Sequence, residues 1–103
     1  MENNLPKFII EDNQLILGKV PFHKILGTNL DKIIGGGWFK FDKENKQLIL
    51  YGDSHDFGRA SKEVIFKAYK ENGLGRTQRY VDKFDMKVYY SYELGDELEE
   101  IIK

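Results

Sequence analysis

Two apolar runs open the chain. Residues 7–11 (KFIIE) and 14–19 (QLILGK) flank Asp12-Asn13, and Asx residues between β-type runs predict a hairpin. Pro21 closes the second strand, because proline has no amide to give a ladder. Residues 23–26 and 30–34 carry helical spacing broken by Gly27, Thr28 and Asn29, which predicts one broken helix or two helical turns. Gly35-Gly36-Gly37 follows. This stretch is expected to lie outside regular structure and to permit close backbone approach.

Residues 38–42 (WFKFD) alternate large apolar and polar positions, and residues 47–51 (QLILY) are more continuously apolar. The polar residues 43–46 between them complete a second predicted hairpin. Residues 53–58 read as a loop. Residues 59–72 predict a helix, with Val64, Ile65, Ala68 and Tyr69 on one face and Gly73 as its stop. Residues 73–82 read as an irregular polar connector. Residues 84–92 predict a strand with Phe84, Met86, Val88 and Tyr90 on one side, and residues 95–103 a short acidic helix bearing Leu98, Ile101 and Ile102. The expected architecture is α+β: a small mixed sheet of about five strands with one main helix packed on it. A chain of 103 residues has room for a single domain, residues 1–103.

Charge removes several functions. Sixteen basic and seventeen acidic residues leave a net charge of −1, which excludes a strongly basic nucleic-acid clamp. Cysteine is absent, so disulfides, thiolate metal sites and cysteine nucleophiles are excluded together. No apolar stretch approaches the ~18 residues of a membrane helix, and the opening Met-Glu-Asn-Asn is polar, unlike a signal peptide. The expectation is a cytoplasmic protein that engages neither nucleic acid nor membrane.

The chemistry-bearing residues are few. His23 and His55 are the two histidines, the side chains whose unperturbed pKa lies nearest neutrality. His23 follows Pro21-Phe22 and reads either as a hydrogen-bonded structural histidine or as a general base. The segment 47–58 (QLILYGDSHDFG) runs from strand to loop to the predicted helix. Free amides at a helix start form an anion site, and Ser54 would add a hydroxyl donor. The plainer alternative is a strand-to-helix turn in which Asp53, Ser54 or Asp56 caps the helix. A metal on Asp53, His55, Asp56 and His23 is chemically allowed, but adjacent loop acids are more often solvated or capping. Gly-Asp-Ser-His-Asp also looks like the opening motif of binuclear metallophosphoesterases, whose further Asp, Asn and His segments are missing here.

Gly35-Gly36-Gly37, a short hairpin, the loop Tyr51-Gly52-Asp53-Ser54-His55-Asp56-Phe57-Gly58 and a following helix together resemble the protein histidine phosphatases of the Janus/Ocnus group. That family carries a triple glycine, a hairpin and a Tyr-Gly-x-Ser-x-x-aromatic-Gly loop before its main helix. The resemblance runs from residue 7 to residue 74 and takes in the strand 84–92. It implies the phosphohistidine-phosphatase fold and a phosphatase that uses no metal or other cofactor. A phosphorylated protein or peptide would be the partner. His23 would be the catalytic base. Lys7 and the loop Asp53, Ser54, His55 and Asp56 would bind the phosphoryl group.

Three departures from the family pattern stand out, one being that no arginine lies upstream of His23 to match the family's second one. The family places an arginine directly after the triple glycine, and here that residue is Trp38. Its loop is largely uncharged, and here Asp53, His55 and Asp56 occupy it. At ~5 Å and an effective dielectric of ~20, one carboxylate repels each unit of phosphate charge by ~3 kcal/mol before screening, whereas a helix N-terminus returns ~0.3–1 kcal/mol. The alternative expectation is therefore a non-catalytic binding or accessory protein that keeps the fold.

Overall fold

The computed structural model describes residues 4–102. Six strands form one sheet: β1 (Leu5–Glu11), β2 (Gln14–Val20), β3 (Ile33–Asp42), β4 (Gln47–Tyr51), β5 (Lys87–Tyr90) and β6 (Glu99–Glu100). Their order across the sheet is β2-β1-β3-β4-β5-β6. The β4–β5 pair is parallel and the other pairs are antiparallel. Two helices, α1 (Lys62–Asn72) and α2 (Thr77–Lys83), lie in the crossover between the parallel strands, as a parallel pair requires. The class is a mixed α+β fold, as expected. Among the described residues no helix is long and apolar enough to cross a membrane.

Local chemistry explains most of the elements. Asp12 and Asn13 both take positive φ, 51° and 62°, the backbone of the two-residue turn that joins twisted strands. Asp42 closes the second hairpin by accepting from the amide of Asn45 at 3.1 Å. Ser61 caps α1 by accepting from the Val64 amide at 3.2 Å, and Gly73 ends it at φ 68°. Ile65, Ala68 and Tyr69 of α1 are buried, so the predicted apolar face is the one that packs.

Alternation divides the sheet into two faces. Phe8, Ile10, Phe39, Leu48, Leu50 and Val88 meet the helices in the main core. The intervening β1 residues Lys7, Ile9 and Glu11 are also buried, on the opposite face, because successive side chains alternate. The segment between β2 and β3, with 3-10 turns at His23–Leu26 and Leu30–Lys32, packs against β1 and β2 there.

Four expectations are corrected. The triple glycine lies inside β3, because a strand without side chains is what lets neighbouring backbone and side chains approach closely. The helix expected from residue 59 begins at Lys62, since Arg59 bridges to Gly36 and the amide of Ala60 donates to the Gly36 carbonyl. The connector contains α2, whose Val81 is buried. The expected terminal helix is a turn followed by β6: Ile101 enters the core while Leu94, Leu98 and Ile102 stay exposed, so that stripe is not used as one face. Lys103 lies outside the described residues.

Candidate functional site

The pocket of interest lies on the face opposite the helices. It has a volume of about 540 Å3, and its walls include Lys7 of β1, Pro21, Phe22 and His23 after β2, Trp38 of β3, and His55 and Asp56 of the loop after β4. The structure therefore brings together His23, His55, Asp56 and Lys7, four of the residues singled out from the sequence.

His23 is 5 % exposed. Its Nε2 lies 2.8 Å from the carbonyl oxygen of Gly37. A carbonyl accepts only, so Nε2 carries a proton, and in the neutral ring Nδ1 holds the free lone pair. Burial is the main influence lowering the His23 pKa below the ordinary imidazole value. The Gly37 bond opposes it, the Lys7 cation adds to it, and Asp56 and Asp53 oppose it. The ring is held neutral at a pH where an ordinary histidine begins to protonate.

Gly36 is the reason the ring fits. A Cβ built there would lie 2.5 Å from the Phe8 carbonyl oxygen, 3.2 Å from His23 Cδ2 and 3.3 Å from Ser54 Cβ. The imidazole and the loop therefore meet over a backbone that has no side chain between them. A Cβ at Gly35 would be 2.7 Å from Ala60 Cα, so the segment after the loop lies equally close to β3.

The loop is tied to itself and to β3. The Ser54 amide donates to the Gly58 carbonyl at 3.2 Å and the Gly58 amide returns a bond of 2.8 Å. Gly58 O also accepts from Gly36 N at 3.0 Å. Ser54 is 2 % exposed, and its Oγ accepts from the Phe57 amide at 3.2 Å. Its side chain therefore shapes the loop from inside. The amides of His55 and Asp56 donate to no other described residue, and Asp53, His55 and Asp56 are exposed. Because α1 starts at Lys62, its dipole end is not at these amides, which corrects the helix-backed anion site expected from the sequence. Ser61, rather than a loop acid, is the cap.

Lys7 and Trp38 are cross-strand partners. The Lys7 ammonium donates to the Val20 carbonyl at 2.8 Å and lies 4.9 Å from the centroid of the indole. Burial lowers its pKa. Trp38 is half-buried, stands edge-on to His23 at 6.0 Å between centroids, and covers Gly52, where a Cβ would lie 2.7 Å from the indole Cδ1. Arg59, the cation nearest in sequence to the loop, points elsewhere. Its guanidinium stacks 3.7 Å from the Tyr92 ring centroid and binds the Tyr92 carbonyl and Glu93.

Glu11 was not singled out from the sequence. It is 6 % exposed and accepts from the amides of Thr28 and Asn29 at 2.9 and 2.6 Å and from the Thr28 hydroxyl at 2.9 Å. It thereby anchors the far end of the segment that carries His23. The available signal was its place on β1, in alternation with Lys7 and Ile9. Among the described residues no three His, Asp or Glu side chains form a group able to hold a metal ion.

The profile of the Janus/Ocnus family matches residues 22–83, more than half of the chain. The chain belongs to the Janus/Ocnus family. No curated protein and no solved structure matches it. The Janus/Ocnus match contains His23, the triple glycine, the loop and both helices. Lys7, β5 and β6 lie outside it.

Proposed function

We propose that this Janus/Ocnus protein is a phosphatase that removes a phosphoryl group from a phosphohistidine or a related phosphoramidate. The observation that carries the reading is the bond from His23 Nε2 to Gly37 O, which leaves a neutral ring with Nδ1 as a base. In this reading Nδ1 takes a proton from the attacking water, a contribution of about 10²–10⁴ in rate. The amides of His55 and Asp56, which donate to no other described residue, and the Lys7 ammonium hold the phosphoryl oxygens as charge builds on them. Ser54 maintains the loop shape, and Asp53 and Asp56 set its acidic rim. The reading assigns every step to side chains and amides of the chain.

A second reading has its own support. Leu5 and Phe22, 39 % and 43 % exposed, border the same pocket as Trp38. An accessory protein that binds an apolar segment there would use Trp38 where the catalytic relatives are expected to carry arginine. One assay separates the two: turnover of a phosphohistidine peptide and of p-nitrophenyl phosphate, with and without chelator, by the wild type and His23→Ala. Turnover that survives chelator and is lost in His23→Ala supports the phosphatase. No turnover of either substrate leaves the binding protein as the reading.

A further inference from the structure

The two histidines of the chain line one pocket from different elements: His23 follows β2, and His55 sits in the loop after β4. Their settings differ. His23 is buried and bonded to backbone. His55 is exposed, and its side chain makes no hydrogen bond with another described residue. Lys7 and Lys24 supply the cations of the same pocket. Lys7 is committed to the Val20 carbonyl.

We propose that His55 is the general acid of the reaction, with His23 as the base. The inference rests on the phosphatase reading above. Hydrolysis of an N-phosphorylated imidazole has two proton requirements. Water must lose a proton as its oxygen bonds to phosphorus. The departing imidazole must gain one, because an imidazolide anion is a poor leaving group. His23 Nδ1 accepts the first proton. His55, in its protonated form, delivers the second to the ring nitrogen of the substrate that does not carry phosphorus. The O–P bond forms, the N–P bond breaks with its electron pair going to the ring, and the products are inorganic phosphate and neutral imidazole. The proton gained by His23 and the proton lost by His55 are exchanged with solvent before the next turnover. Base and acid are the same residue type in two settings, His23 buried and bonded to the Gly37 carbonyl, His55 exposed at the pocket wall.

The choice of leaving group tests this. A p-nitrophenolate departs as a stable anion and needs no proton, whereas imidazole does. In His55→Gln the ratio of phosphohistidine-peptide turnover to p-nitrophenyl phosphate turnover is expected to fall at least 100-fold relative to wild type, within the range for loss of a general acid. In His23→Ala both substrates lose turnover together. Because His55 is an exposed loop residue, the variant is expected to melt with the wild type. Equal loss on both substrates in His55→Gln, or no loss on either, overturns the acid role while the phosphatase reading stands. A wild-type protein that turns over neither substrate overturns both.

Discussion

Lys7 and Trp38 face one another across the β1–β3 ladder, with the lysine ammonium 4.9 Å from the indole centroid. A desolvated contact of this kind is worth about 2 kcal/mol, and it holds the indole beside His23. Trp38 is the sole tryptophan, so its emission reports on the pocket alone. Protonated imidazole quenches a neighbouring indole. Trp38 emission is therefore expected to drop as pH falls, with an inflection below ~6.5, the ordinary histidine value, because burial lowers the His23 pKa. His23→Gln should abolish the inflection. A fluorimetric titration with an unchanged inflection in that variant would detach the indole from His23.

The buried ring makes His23 costly to remove in two respects. Under the proposed function His23→Ala lowers turnover by about two to four orders of magnitude. It also strands the Gly37 carbonyl, at a cost of about 1–3 kcal/mol, or some 4–8 °C of melting temperature per kcal/mol in a domain of this size. A single-turnover assay beside a thermal melt measures both. Activity lost at an unchanged melt would mean that the ring is not packed as described.

Gly36→Ala tests the close approach over β3. The added methyl meets the Phe8 carbonyl oxygen at 2.5 Å, and that oxygen belongs to a paired strand that has little freedom to move. Overpacking of this kind costs about 1–3 kcal/mol, and it should also displace His23 and the Ser54 loop. The expected result is a lower melting midpoint together with a changed Trp38 emission. A variant that melts and emits like wild type would contradict the geometry.

The loop acids give an opposite expectation. Asp56 borders the pocket and does not cap α1, a role taken by Ser61. Asp56→Asn removes a repulsion of ~3 kcal/mol per unit phosphate charge before screening. Phosphate should then bind at least tenfold tighter, most visibly at low salt, with an unchanged melt. Ser61→Ala should instead lose about 0.5–2 kcal/mol of stability. Calorimetric titration with phosphate, beside the two melts, checks both.

Glu11 makes stability depend on pH. The Asn29 amide most of all, then the hydroxyl and amide of Thr28 and the charge of Lys32, outweigh burial and hold its carboxyl below the ordinary value of 4.5. A lowered folded-state pKa means that the unfolded chain binds more protons between the two values, so stability rises with pH there. The contribution is complete above pH ~4.5 and is lost as pH falls through the lower, folded value. Glu11→Gln should flatten that part of the profile and cost about 1–2 kcal/mol at neutral pH, the difference between charged and neutral hydrogen bonds. Melts across pH 2–7 for both proteins test the sign as well as the size.

The first two hairpins and the packed face of α1 were legible because their signals are local: Asx turns, period-two alternation, and apolar spacing closed by Gly73. The elements that differed answer to distant partners. Gly35-Gly36-Gly37 became strand because β1, His23 and the Arg59–Ala60 segment all close on it. Glu99–Glu100 became strand, beside Ile101, whose amide reaches the Val88 carbonyl at 2.8 Å and whose side chain enters the core. The pocket was legible as a set of residues and less so as chemistry. His23 and the loop stood out among the residues, and Lys7 came into view through the family resemblance, but neither showed the Gly37 carbonyl that selects the tautomer of His23. Nor did either reveal that Ser54 turns inward, or that Glu11 anchors the segment between β2 and β3.

The single parallel pairing, β4 with β5, divides the molecule in time. Every pocket residue lies between Leu5 and Asp56, on or beside strands that pair antiparallel, β1 with β2 and β3 with β4 through short turns. Such contacts close quickly, whereas β5 must wait for the long crossover that contains both helices. During synthesis the pocket strands emerge first, and the elements that bury their other face arrive afterwards. The same order should persist in the finished protein: amides at Glu99–Glu100, paired on one side at the sheet edge, exchange with solvent fastest of the strands, and those of β1, paired on both sides, slowest.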